Sequence, residues 1–162
     1  MTRLGVVADT HDLLRPELLT ALAGVDVIVH AGDVCTAPIL EALAEIAPVH
    51  AVRGNNDAAP FADTLPEALA LRVANVDIWM CHDAADLRRL PPPAGTRLVI
   101  TGHSHRPRLD VEDGVTHLNP GSPGRRRFSL PVSCAIATIE NDEVHCEIIT
   151  LDVPPARRRR TP

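Results

Sequence analysis

The chain has 162 residues, 45% of them hydrophobic but only 2% aromatic, and a net charge of −5. That length suits one domain with a sizeable core built from Val, Leu, Ile and Ala rather than from rings. Every basic residue is Arg, so a Lys Schiff base and a phosphate-loop lysine are excluded. The body carries no basic field, and few flat side chains exist to stack bases, so specific nucleic-acid binding is not expected.

The predicted elements run as follows. Leu4–Ala8 is an apolar strand that ends in Asp9-Thr10-His11. A helix starts near Pro16, a residue tolerated in a first turn, and stops at Gly24. Val25–His30 is a second strand, ending in Ala31-Gly32-Asp33, and Pro38–Ile46 a second helix. Val49–Arg53 is a third strand, ending in Gly54-Asn55-Asn56-Asp57. Strand, polar loop and helix repeat twice before this strand, the pattern of βα units on a largely parallel sheet.

The second half changes character. Ala70–Val73 and Val76–Cys81 read as a hairpin that delivers His82. A short helix near Ala85–Leu90 is ended by Pro91-Pro92-Pro93. Arg97–Ile100 is a buried strand that delivers Gly102-His103-Ser104-His105. Two further hairpins turn at Asp113-Gly114 and Asn141-Asp142. No internal repeat or linker is visible. Residues 1–152 read as one domain, and 153–162 as a disordered Pro/Arg tail whose run Arg157–Arg160 could touch anions weakly. The N-terminus lacks a signal-peptide core, no apolar run is long enough for a membrane span, and the four cysteines form no C-x-x-C pair, so a reducing cytoplasm is expected.

Asp9 and His11, Asp33, Asn55, His82, and His103 and His105 thus sit in separate loops, each just after an apolar strand. Sites in α/β sheets form at the carboxyl ends of strands. Carboxylate, amide oxygen and imidazole are the donors that hard-to-borderline divalent cations prefer.

The order D-x-H, G-D, G-N-x-D, H, G-H-x-H resembles that of the calcineurin-like metallophosphoesterases. The short length, Asn119-Pro120-Gly121-Ser122 and the late hairpins are similar to the small single-domain YfcE-type phosphodiesterases, and the resemblance runs to about Leu151. It implies a four-layer α/β/β/α sandwich with two central mixed β-sheets. It implies two divalent ions, Mn²⁺ first, with Fe²⁺, Ni²⁺, Co²⁺, Zn²⁺ or Mg²⁺ as alternatives. On that resemblance Asp9, His11 and His105 hold the first ion, Asp33 bridges, and Asn55, His82 and His103 hold the second. Asp33, Asn55 and His82 would then act on substrate through the ions. A metal-bridging hydroxide would be the nucleophile.

Two positions depart from the family pattern, with Asp12 after D-x-H and Asp83 after the lone His82, both where glycine is usual. Asn56 stands where larger members carry a catalytic histidine, and an amide cannot act as a general acid. Asp12, Asn56, Asp57, Asp83 and Arg127 are candidates for orienting the ligands or meeting substrate. Two divalent cations bring about +4 and the two carboxylates with one hydroxide remove about 3, so an anionic phosphoester suits the remaining charge. The expected activity is phosphodiester hydrolysis on a small substrate, with a homo-oligomer a further expectation. The alternatives are a non-catalytic metal-binding scaffold of the same fold, as in a related retromer subunit, and a metal-dependent nuclease.

Overall fold

The computed structural model describes residues 1–154, so the Arg157–Arg160 run lies outside them. The first sheet contains β1 (Thr2–Val7), β2 (Val27–His30), β3 (Val49–Ala51), β9 (Ser133–Glu140) and β10 (Glu143–Thr150), in the order β10-β9-β1-β2-β3. The second contains β4 (Ala68–Val73), β5 (Val76–Cys81), β6 (Leu98–Ile100), β7 (Arg108–Glu112) and β8 (Val115–Asn119), in the order β4-β5-β6-β8-β7. Both are mixed. β1 runs parallel to β2 and antiparallel to β9. β6 runs parallel to β5 and to β8, while β4–β5 and β7–β8 are antiparallel hairpins.

Alternation along β1 divides its side chains between two cores. Leu4, Val6 and Ala8 face the second sheet and meet Ile78, Met80, Leu98, Ile100 and Leu118. Val7 faces the other way, into a core closed by α1 (Pro16–Ala21) and α2 (Ala37–Ala44) through Leu18, Leu22, Ile39 and Leu43. The core between the two sheets is built from Leu, Val, Ile and Ala with Met80, as the composition requires.

The layers are therefore helix, sheet, sheet and an outermost layer reduced to a 3₁₀ turn at Ala84–Arg88 against β5. That turn replaces the expected helix at Ala85–Leu90. α2 ends two residues before the predicted Ile46, because Ile46 N already reaches back only to Leu43 O, and Pro48 follows. A second 3₁₀ turn at Ala62–Thr64 has no counterpart in the sequence pattern. Among the described residues no helix is long and apolar enough to cross a membrane.

Candidate metal centre

All the singled-out loops emerge at the carboxyl ends of β1, β2, β3, β5 and β6. Those from the first sheet carry Asp9, His11, Asp33 and Asn55. Those from the second carry His82, His103 and His105. Backbone bonds zip neighbouring loops together: Asp9 N donates to Gly32 O at 2.9 Å, His11 N to Asp33 O at 3.0 Å, and Gly102 N to His82 O at 2.8 Å.

Asp9, His11, Asp33, His103 and His105 all have positive φ, between 46° and 66°. Non-glycine residues pay about 1 kcal/mol or more for this region, so surrounding contacts must hold them there. The gain is geometric, because a left-handed residue turns the loop sharply and several side chains can converge from short segments.

Two clusters result. In the first, His11 Nε2 lies 3.1 Å from His105 Nε2, and His105 Nε2 lies 3.5 Å from Asp9 Oδ1. In the second, Asn55 Oδ1 lies 3.0 Å from His82 Nε2 and 2.9 Å from His103 Nδ1. One oxygen joins them: Asp33 Oδ2 is 3.5 Å from His11 Nε2 and 3.4 Å from His82 Nε2. His103 and His105, two residues apart in sequence, thus point into different clusters.

The donor set suits divalent cations. Asp9 is fully buried, and neither of its carboxylate oxygens has a hydrogen-bond partner among the described residues. Burial pushes its carboxyl up to about 7, against the pull of His82. An uncompensated buried carboxylate is costly, and a cation is one means of compensating it. His82 Nδ1 lies 2.7 Å from Ala31 O. A carbonyl only accepts, so Nδ1 carries a proton and the ring is fixed with Nε2 facing the cluster. Burial opposes charge on His82, yet the Asp33 carboxylate and Ala31 carbonyl outweigh it and raise the imidazole's pKa. Burial lowers His11 and takes His105 down to about 4, helped there by Arg127 and His11, so both rings favour the neutral form that ligates metals.

The remaining singled-out residues support these groups. Asn56 donates to Asp33 twice, through Nδ2 to Oδ2 and through its backbone N to Oδ1, each at 2.7 Å. Burial acts against charge on Asp33, but the bonds from His82 and Asn56 win and hold it well below the usual carboxylate range. Asp57 accepts from three backbone groups, Asp33 N at 3.1 Å, Cys35 N at 2.6 Å and Gly54 N at 2.7 Å, and so fastens the loops after β2 and β3 together. Gly54 has to be glycine, since a Cβ there would overlap Asp33 Oδ1 and its backbone N. Asp12 accepts from Thr36 Oγ1. Asp83 caps the 3₁₀ turn by accepting from Ala85 N at 2.9 Å, with Oδ2 3.6 Å from His103 Nε2. Arg127 reaches the rim of the first cluster, its guanidinium 3.3 Å from His11 Nε2.

Several positioning residues are not apparent in the spacing pattern. Asn119 Nδ2 donates to Gly102 O at 2.6 Å and tethers the histidine loop, while Ser122 Oγ donates to Asp9 O at 2.7 Å. The Asn119–Ser122 stretch therefore braces both sheets' contributions. Beneath Asp9, Thr10 Oγ1 lies 3.0 Å from Nε2 of the fully buried His30. Burial drives His30 down to about 3, so it is a neutral, structural imidazole.

Residues 2–142 match the calcineurin-like phosphoesterase superfamily domain, and the chain belongs to that family. A probable metallophosphoesterase of Methanothermobacter thermautotrophicus is 32% identical over 95% of both chains. Among solved structures, an archaeal phosphodiesterase superposes with a TM-score of 0.72 at 20% identity, covering 91% of this chain and all of that one. Chaetomium thermophilum Vps29 gives 0.72 at 16% identity, over 95% of this chain and 100% of that one. At those identities the structural likeness speaks for the fold.

Proposed function

We propose that the chain is a metal-dependent phosphodiesterase whose two clusters each hold one divalent cation. Asp9, His11, Asp33 and His105 would hold the first, and Asp33, Asn55, His82 and His103 the second, with Mn²⁺ the leading choice. The observation that carries this reading is Asp33 Oδ2, placed within 3.5 Å of an imidazole nitrogen of either cluster. Bound there, divalent cations would draw in phosphoryl oxygens and lower the pKa of a coordinated water.

The chain's own residues do the rest. Asn56 and His82 keep the Asp33 carboxylate ionised and fixed. Ala31 O fixes the His82 ring. Asp9, itself fully buried, supplies a second carboxylate to the first cluster. Asn56, engaged with Asp33, gives no proton to the leaving group, which favours esters whose leaving groups are stable as anions. Small phosphodiesters are the proposed substrates and the cytoplasm the proposed location. The Vps29 likeness supports a second reading, a metal-binding interaction scaffold on the same fold.

The test is turnover of bis-p-nitrophenyl phosphate by chelator-treated protein resupplied with Mn²⁺, Ni²⁺, Co²⁺, Fe²⁺, Zn²⁺ or Mg²⁺. Release of p-nitrophenol that depends on added metal is expected. A folded, metal-loaded protein without turnover overturns the enzyme reading in favour of the scaffold. Asp33→Ala is expected to lose both ions and activity, and retained activity would refute the bridging role.

A further inference from the structure

The chain has three aromatic residues, Phe61, Trp79 and Phe128. Phe61 packs on the helix-covered core, and Trp79 Nε1 donates to Leu90 O at 3.1 Å. Phe128 does neither: it is 94% exposed, with φ at +53°. A bulky ring in the left-handed region is unfavourable, and this one gains no burial in return.

Its loop packs on the candidate metal centre. Gly124 lies against the Asp9–Thr10 backbone, where a Cβ would come 2.7 Å from the carbonyl oxygens of both residues. Gly124 N donates to Ser122 Oγ at 3.1 Å, and Arg15 Nε to Pro123 O at 3.0 Å. The loop is thus pinned at its base. Leu130 N donates to Arg127 O at 3.1 Å and closes a turn with Phe128 at its second position. A guanidinium that reaches His11 Nε2 at 3.3 Å is therefore followed directly by a ring held out in solvent.

Resting on the phosphodiesterase reading, we propose that the Arg127–Phe128 turn is the substrate-recognition element. The Arg127 guanidinium takes a non-bridging phosphoryl oxygen, and the Phe128 ring stacks on a flat π-system carried by an ester group, so the favoured substrates are nucleoside-type phosphodiesters. A planar guanidinium suits phosphoryl oxygens, and base–aromatic stacking tolerates any base because each has a π-face. One exposed ring is enough to select a mononucleoside ester, whereas a strand of nucleic acid needs several, and the chain has only three aromatic residues.

The test uses the full, Mn²⁺-loaded chain and two esters that share one leaving group, the p-nitrophenyl ester of thymidine 5′-monophosphate and methyl p-nitrophenyl phosphate. Phe128→Ala is expected to lower kcat/KM roughly 5- to 100-fold for the thymidine ester, with little change for the methyl ester. Arg127→Ala is expected to lower both alike, at unchanged metal content. Equal effects of Phe128→Ala on the two esters overturn the stacking role. If the wild type cleaves neither ester, the phosphodiesterase reading has failed, and binding decides the stacking role alone. Emission from the Phe128→Trp variant, beyond that of Trp79 in the wild type, is expected to be quenched by thymidine 5′-monophosphate and not by methyl phosphate. No quenching, or conversion of an oligomer to monomer by Phe128→Ala in sedimentation, overturns the proposal, the latter by assigning the ring to a contact between copies.

Discussion

Asn56 grips both oxygens of Asp33, one through its side-chain amide and the other through its backbone N–H, each at 2.7 Å. Asn56 is thus a clamp on the carboxylate that joins the two clusters. Asn56→Leu keeps the backbone bond and removes the amide. Hydrogen-bond partners of metal ligands are worth about 10- to 100-fold in metal affinity. Titration calorimetry with Mn²⁺ is expected to show a loss in that range, with circular dichroism unchanged.

Asp9 opposes stability when no cation compensates it. Its buried carboxyl titrates near 7, whereas the unfolded group titrates near 3.8. The folded protein therefore binds more protons between those values, and stability attributable to this group falls as pH rises through that interval. In chelator-treated protein at pH 8, Asp9→Asn is expected to raise unfolding free energy by up to about 4 kcal/mol. The same variant is expected to lose metal affinity. Denaturant unfolding with and without Mn²⁺ checks both signs.

His30 acts in the opposite direction. It is buried neutral with its pKa at about 3, against an unfolded value of 6.5. Below pH 6.5 the unfolded chain takes up a proton that the folded chain refuses, so the stability present above 6.5 is lost as pH falls toward 3. The contribution is about 1.4 kcal/mol per pH unit at its steepest. His30→Gln is expected to remove that slope, which urea unfolding from pH 4 to 7 measures as a difference from wild type.

Gly54→Ala drives a methyl group into Asp33. Overpacking of this kind costs about 1–3 kcal/mol where the neighbours are fixed, and here the displaced neighbour is the shared carboxylate. A lower Tm is expected, together with loss of Mn²⁺ binding by calorimetry.

The candidate ligands were legible because each follows an apolar strand and belongs to a metal-binding residue type. The βα units and the hairpins are legible as well, since periodicity and turn residues are local signals. What it could not give was long-range. β6 lies between β5 and β8, parallel to both, because pairing across distant segments sets strand order. His30 reads as the end of an apolar strand and says nothing of its burial against Thr10. Asn119 and Ser122 stand in the sequence only as part of the stretch that carries the family resemblance, and only the folded chain shows them bracing Gly102 and Asp9. The helix expected after His82 shrinks to a 3₁₀ turn, capped by Asp83, before the prolines.

The split of the cluster between two sheets has a mechanical consequence. The sheets face each other through aliphatic packing, and their hydrogen-bonded ladders stay separate. A cation held by Asp33 and His82, or by His11 and His105, would work as a clasp across that seam. Chelation would then loosen the joint between the halves of the sandwich before it disturbed either ladder.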